Sequence, residues 1–153
     1  MEYIQNNKKE PGCVFCSALD GPDGPDNLIV YRGRRAYMIL NRFPYTSGHL
    51  MAVPYTHLPS LEALAPEERS ELMELASHAL EVLRVVYHPE GFNVGINIGA
   101  AAGAGIVEHV HMHVVPRWAG DTNFMSSLAG TRVLPETLED TYRRVKEEWE
   151  KQT

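Results

Sequence analysis

The segment Glu108-His109-Val110-His111-Met112-His113-Val114-Val115 alternates imidazole and apolar side chains. Successive side chains of a strand point to opposite faces. A strand therefore puts His109, His111 and His113 on one face and Val110, Met112 and Val114 on the other; a helix would scatter both sets. The alternation calls for a sheet with one face on a core and one face left to water, metal or substrate. It predicts a strand over 106–115, closed by Pro116. Three imidazoles at consecutive same-side positions bring nothing to core packing, so the face reads as chemical. Two chemistries fit. Histidines two apart on a strand can share one zinc ion with a third ligand from elsewhere. Alternatively, an imidazole can act as a nucleophile.

Seven small residues, Gly99-Ala100-Ala101-Ala102-Gly103-Ala104-Gly105, precede this strand. Such a loop lets an anion approach backbone N–H groups closely, and a phosphate beside an imidazole nucleophile makes physical sense. Close sheet packing accounts for small residues equally well. No Lys-Ser or Lys-Thr follows, so this is not a P-loop.

The remaining segments fit around the histidine strand. Apolar runs at 28–31 and 36–40 flank Gly33-Arg34-Arg35 and predict a hairpin, after the turn-rich stretch 20–27. A third strand is expected over 49–53, stopped by Pro54. The period then changes. Leu72, Leu75, Ala76, Ala79, Leu83 and Val86 recur at helical spacing behind Pro66, Glu67 and Glu68. They predict a long helix over 66–87, ended by Pro89 and Gly91. Residues 92–98 alternate again, with Val94, Ile96 and Ile98 on one side. Pro135 is expected to open a last helix with the stripe Leu138, Tyr142, Val145 and Trp149. Links between adjacent strands are mostly too short for crossovers. The expectation is an α+β fold, a five-stranded antiparallel sheet with a long helix and a C-terminal helix.

Length and charge narrow the function. The 153 residues correspond to one domain, 1–153, with 1–12 as a flexible lead-in. Lys and Arg number 14 against 20 acidic residues, a net charge of −6. That balance argues against a protein that coats nucleic-acid phosphates. No apolar run reaches the roughly 18 residues of a membrane span, and the first dozen residues lack a signal-peptide core. Cys13 and Cys16 cannot build a disulfide framework, and their spacing suits metal or redox chemistry. A soluble protein in the reducing cytoplasm is expected.

With these residues in view, His109-Val110-His111-Met112-His113-Val114-Val115 resembles the His-φ-His-φ-His-φ-φ signature of the histidine triad (HIT) superfamily. The stretch LNRFPYTSGH, from Leu40 to His49, resembles that family's nucleoside-binding strand, and Pro54-Tyr55-Thr56-His57 resembles its next segment. AGAGIVEHVHMHVVPRWAGDTNFM is similar to a bacterial branch associated with diadenosine tetraphosphate phosphorylase or hydrolase activity. The similarity covers 13–149.

The resemblance implies a HIT-like fold, a homodimer built through the helix and central strand, and attack on the α-phosphate of a nucleotide. The catalytic set it implies is His109, His111 and His113. Within that set His111 is the nucleophile that forms a nucleotidyl-histidine, and His113 contacts phosphate oxygens. Asn41 falls at the ribose-contacting position and Asn97 beside phosphate. Gly103, Ala104, Gly105, Ile106 and Val107 match the phosphate loop. Gly105 and Ile106 stand where relatives often carry Gln and Ser or Thr, which leaves phosphate contacts to backbone amides. Family members with this CxxC resemble the galactose-1-phosphate uridylyltransferase branch. That implies a structural zinc on Cys13, Cys16, His57 and His109, with a free dithiol as the alternative.

Implied substrates are AMP, ADP, ATP or a dinucleoside polyphosphate, which can arrive as magnesium complexes; no nucleic-acid polymer and no membrane is expected. Alternatives are a nucleoside phosphoramidate hydrolase, a non-catalytic nucleotide-binding zinc protein, and a zinc hydrolase with the triad as ligands. His49 can flank the site or serve the core. Trp118 can stack on a base or close a dimer. Arg42 and Arg117 can attract phosphate or stay solvated.

Overall fold

The computed structural model describes residues 12–122 and 136–153. Residues 1–11 of the expected lead-in, Asn123 and Phe124 of the DTNF stretch, and Pro135 lie outside the described residues. A four-residue helix, α1 (Val14–Ser17), comes first. Strands β1 (Ile29–Arg32), β2 (Ala36–Leu40) and β3 (Leu50–Pro54) follow. Then come the long helix α2 (Pro66–Tyr87), strands β4 (Gly91–Ile96) and β5 (Met112–Arg117), and α3 (Leu138–Gln152). The five strands form one sheet in the order β1-β2-β3-β5-β4, every neighbouring pair antiparallel. β3 and β4 thus run parallel with β5 between them, and α2 makes the crossover that such a pair requires.

The hairpin forms with Arg34 and Arg35, which are not usual turn residues, behind Gly33 in its turn. Gly33 N–H donates to the Ala36 carbonyl at 2.8 Å. The Glu71 carboxylate, reaching from α2, accepts the N–H groups of Arg35 (2.5 Å) and Ala36 (2.6 Å). A side chain supplies what the local sequence does not. At the entry to β3, Gly48 has φ +87°, and a Cβ there would come within 2.9 Å of the Tyr87 ring. Only glycine fits this approach of the 41–49 loop to α2.

α2 spans the expected residues and buries Leu72, Leu75, Ala76, Ala79, Val82 and Leu83. Its N-cap, Ala65, has no side-chain oxygen to offer. The buried Glu68 carboxylate accepts the Ala65 N–H at 2.8 Å instead, and the Thr56 hydroxyl donates to the same group. α3 opens on Thr137, whose hydroxyl accepts the Asp140 N–H at 3.1 Å, and buries Tyr142, Val145 and Trp149. The Tyr142 hydroxyl donates to the Ile29 carbonyl at 2.9 Å and ties the helix to β1. α2 lies on β2, β3 and β5, and α3 lies beside it on β1.

β5 departs from expectation. It begins at Met112 and runs through Pro116 to Arg117, so His109 and His111 precede the strand and are not members of a three-histidine face. The reason is competition for the backbone. Val110 N–H donates to the Leu58 carbonyl at 2.8 Å, away from any ladder. β3 pairs with β5 only from Met112 to Val114, so Pro116 has no β3 neighbour to require its missing N–H. β4 also stops early, at Ile96, and Val94 and Ile98 are exposed.

Candidate active site and metal centre

Met51 and His113 are partners in the β3–β5 register and line a cavity of about 720 Å³. Their neighbours Leu50 and Val114, on the opposite side of the sheet, are fully buried. Asn41, Asn97, Gly103, Gly105, Ile106 and His111 line the same cavity, with Phe15 of α1 forming part of its wall. Ala104 and Val107 do not; Ala104 N–H instead turns back to the Gly99 carbonyl at 3.4 Å. The volume falls within the range of small-molecule sites.

The histidine ring nitrogens can be assigned by their partners. His111 Nδ1 lies 2.9 Å from the His109 carbonyl, which can only accept, so Nδ1 carries the proton. Nε2 keeps a free lone pair. Burial lowers the His111 pKa, although the hydrogen bond to the His109 carbonyl opposes this, so the ring is neutral at pH 7.

His113 is set by a residue that the sequence left open. Tyr45 N–H donates to His49 Nδ1 at 3.2 Å, which places the proton of His49 on Nε2. That N–H lies 2.9 Å from His113 Nδ1. His113 therefore accepts at Nδ1 and carries its own proton on Nε2. Burial, with a smaller repulsion from His111, pushes its pKa down to about 4. The pair thus offers one imidazole lone pair and one imidazole N–H, with ring centroids 4.8 Å apart.

The third histidine of the motif serves a second cluster. Ligand atoms of Cys13, Cys16, His57 and His109 all lie within 4.8 Å of one another. His109 Nδ1 is 3.4 Å from Cys13 Sγ, 3.7 Å from Cys16 Sγ and 3.2 Å from His57 Nδ1. His57 Nδ1 is 3.4 Å from Cys16 Sγ. A tetrahedral zinc with usual bond lengths separates N from S by about 3.5 Å and N from N by about 3.3 Å. The observed spacings match that geometry. The His109 Nε2–H donates to the Pro54 carbonyl at 2.8 Å, which leaves Nδ1 unprotonated and aimed at the cysteines. The donor set and its outer hydrogen bond fit a closed metal site. His111 and His113 are not in this cluster.

The arginines differ. Arg42 lines the cavity and donates to the Asp26 carbonyl at 2.8 Å. Arg117 is engaged by Asp121 at 2.7 and 2.8 Å and by Asn93. Trp118 meets the Tyr87 ring edge-on, 6.4 Å away. Phe15, Tyr45 and His49 are the site residues that sequence reasoning missed or left undecided.

Comparison with known proteins is decisive for the family. Residues 24–120 match the model of the HIT domain. The chain belongs to the HIT family. It is 46% identical over 127 residues to a protein of Mycobacterium tuberculosis named AP-4-A phosphorylase, covering 83% of this chain. It spans 65% of that relative's length. It is 31% identical over 93 residues to the asymmetrical bis(5'-nucleosyl)-tetraphosphatase of Schizosaccharomyces pombe, covering 61% of this chain and 50% of that protein. Among solved structures, a zinc-bound histidine triad family protein from Mycobacterium smegmatis superposes with a TM-score of 0.73 at 30% identity. That match covers 92% of this chain and 95% of the other. The HIT sheet and helices are those described above.

Proposed function

We propose that this HIT protein transfers the nucleotidyl group of a dinucleoside polyphosphate of the diadenosine tetraphosphate type, through a covalent adduct on His111. The observation that carries the reading is the Nδ1 contact of His111 to the His109 carbonyl. It frees a neutral Nε2 at the cavity wall. In the proposed reaction Nε2 forms a bond to the α-phosphorus as the bond to the leaving phosphate oxygen breaks. His113 Nε2–H donates to phosphate or leaving-group oxygen, where charge develops. Asn41 contacts the ribose. Asn97 and the backbone amides of Gly105 and Ile106 hold the phosphates. The acceptor then takes the nucleotidyl group and frees His111. The name of the mycobacterial relative supports orthophosphate as that acceptor.

Zinc is the metal that the Cys13, Cys16, His57 and His109 cluster fits, and its role is structural. It would tie α1 to the segment before β5. The cluster needs reduced thiols, which supports a reducing compartment such as the cytoplasm. Among the described residues no helix is long and apolar enough to cross a membrane. A homodimer is also proposed. β4 is an edge of the sheet, and Val94 on it, Ile98 just beyond its end and Val85 on α2 are exposed.

Product analysis with diadenosine tetraphosphate, with and without orthophosphate, tests the reading. ADP plus ATP only with phosphate is the expected result. AMP plus ATP without phosphate would make water the acceptor. His111→Ala should abolish both turnover and the protein-bound nucleotide. Turnover that survives in this variant would overturn the covalent route.

A further inference from the structure

Phe15 sits between the two cysteines of the cluster and is buried at 2% exposure. Its ring meets His109 edge-on at 5.4 Å and lies tilted against His111 at 4.8 Å. Its carbonyl accepts the Tyr37 hydroxyl at 2.7 Å. Burial raises the Tyr37 pKa far above its usual value, so this donor keeps its proton. The ring therefore touches a metal-cluster histidine and the nucleophile at once, while the backbone on either side of it carries Cys13 and Cys16.

α1 has little of its own to hold it there. It is four residues long, and its N-cap, Cys13, makes no side-chain capping bond. Four residues do not sustain a helix alone. Its position is fixed from outside, by the Tyr37 hydroxyl, by packing, and by the two sulfurs that face His57 and His109. An ion held by the cluster would lock α1 in this place beside His109, with the Phe15 ring against His111. The hydrogen bond to the His109 carbonyl fixes the tautomer of His111, and the ring packs against Phe15 on one side and His113 on another. The Phe15 face supplies a packing contact that holds the plane of the His111 ring.

We propose that Phe15 is a positioning residue that transmits occupancy of the Cys13–Cys16–His57–His109 cluster to His111. The inference rests on the zinc and nucleophile assignments above. It adds that the metal, though remote from the phosphate, controls how well the nucleophile is aimed. Misplacement of a reacting group by about 1 Å can cost a factor of about a hundred in rate.

The test uses full-length protein with ¹⁵N-labelled histidine, zinc-loaded and then chelated under reducing conditions. Metal content and the His111 ring signals are read on the same samples. In the wild type, zinc removal should shift and broaden the His111 ring signals. Phe15→Leu should keep one zinc per chain, yet its His111 signals should be the same with and without zinc. Its kcat should fall by about ten- to a hundredfold and stop responding to chelation. Phe15→Met, which keeps bulk without a ring face, serves if the leucine variant fails to fold. Wild-type His111 signals indifferent to zinc would overturn the proposal while leaving the metal site standing. So would a Phe15 variant whose His111 follows zinc as the wild type does. Failure of the wild type to bind zinc would overturn the metal assignment and this proposal together, and the metal content alone reports that case.

Discussion

The Nε2–H of His49 lies 2.9 Å from the Nδ1 of His113, so the His49 ring fixes where His113 carries its proton. The chain starts at a backbone amide, that of Tyr45, and ends at an imidazole N–H beside the cavity. Removing His49 lets His113 adopt the other tautomer and present a lone pair where a donor is needed. His49→Ala should lower kcat by about a hundredfold, the scale of one acid–base group, with a smaller change in KM. His49→Gln, which keeps an N–H donor, should recover part of the loss. Steady-state kinetics on the three proteins decide this.

Zinc should add stability as well as order. Metal that binds the folded chain contributes about 2.7 kcal/mol at a hundredfold excess over its dissociation constant. For a chain of this size that corresponds to a rise of about 5–10 °C in Tm. Calorimetry of chelated protein with and without added zinc should show this rise, and Cys16→Ser should abolish it.

Acid should destabilise the fold over a particular window. The folded-state pKa of His113 is about 4, below the ordinary value near 6.5 of an unfolded histidine. Between these values the unfolded chain binds more protons. The contribution is therefore complete above pH 6.5 and is lost as pH falls toward 4. Urea unfolding across that range should show midpoints that fall with pH. His113→Asn should show a shallower fall.

Glu71 offers a control remote from the cavity. Its carboxylate accepts the two N–H groups of the β1–β2 turn. Glu71→Ala should cost about 1–3 kcal/mol, the penalty for stranding partly buried donors. Denaturant midpoints should fall while kcat stays unchanged.

What the sequence made legible was periodic. α2 matches its expected bounds because six apolar residues repeat at helical spacing, and β2 because five apolar residues stand between turns. The start of β5 was not legible. The alternation through His109 and His111 mimics a strand, but Val110 N–H goes to the Leu58 carbonyl and the His109 ring to the Pro54 carbonyl, which no local pattern reveals. α1 gave no signal, since four residues cannot show a period. In the candidate site, the motif histidines and the cysteine pair stood out by spacing. His49 did not, because its partner lies 64 residues away and only the register of β3 against β5 brings the two together. The turn held by Glu71 was hidden for the same reason.

Cys13 and His109 are 96 residues apart in the chain. During synthesis the two thiols emerge first, and His109 follows after roughly 5–20 s at about 5–20 residues per second. For that interval the nascent chain carries a naked dithiol with no fourth ligand to close around it. The order of synthesis thus leaves the two thiols open to oxidation until the residue that would close the proposed metal site has been made.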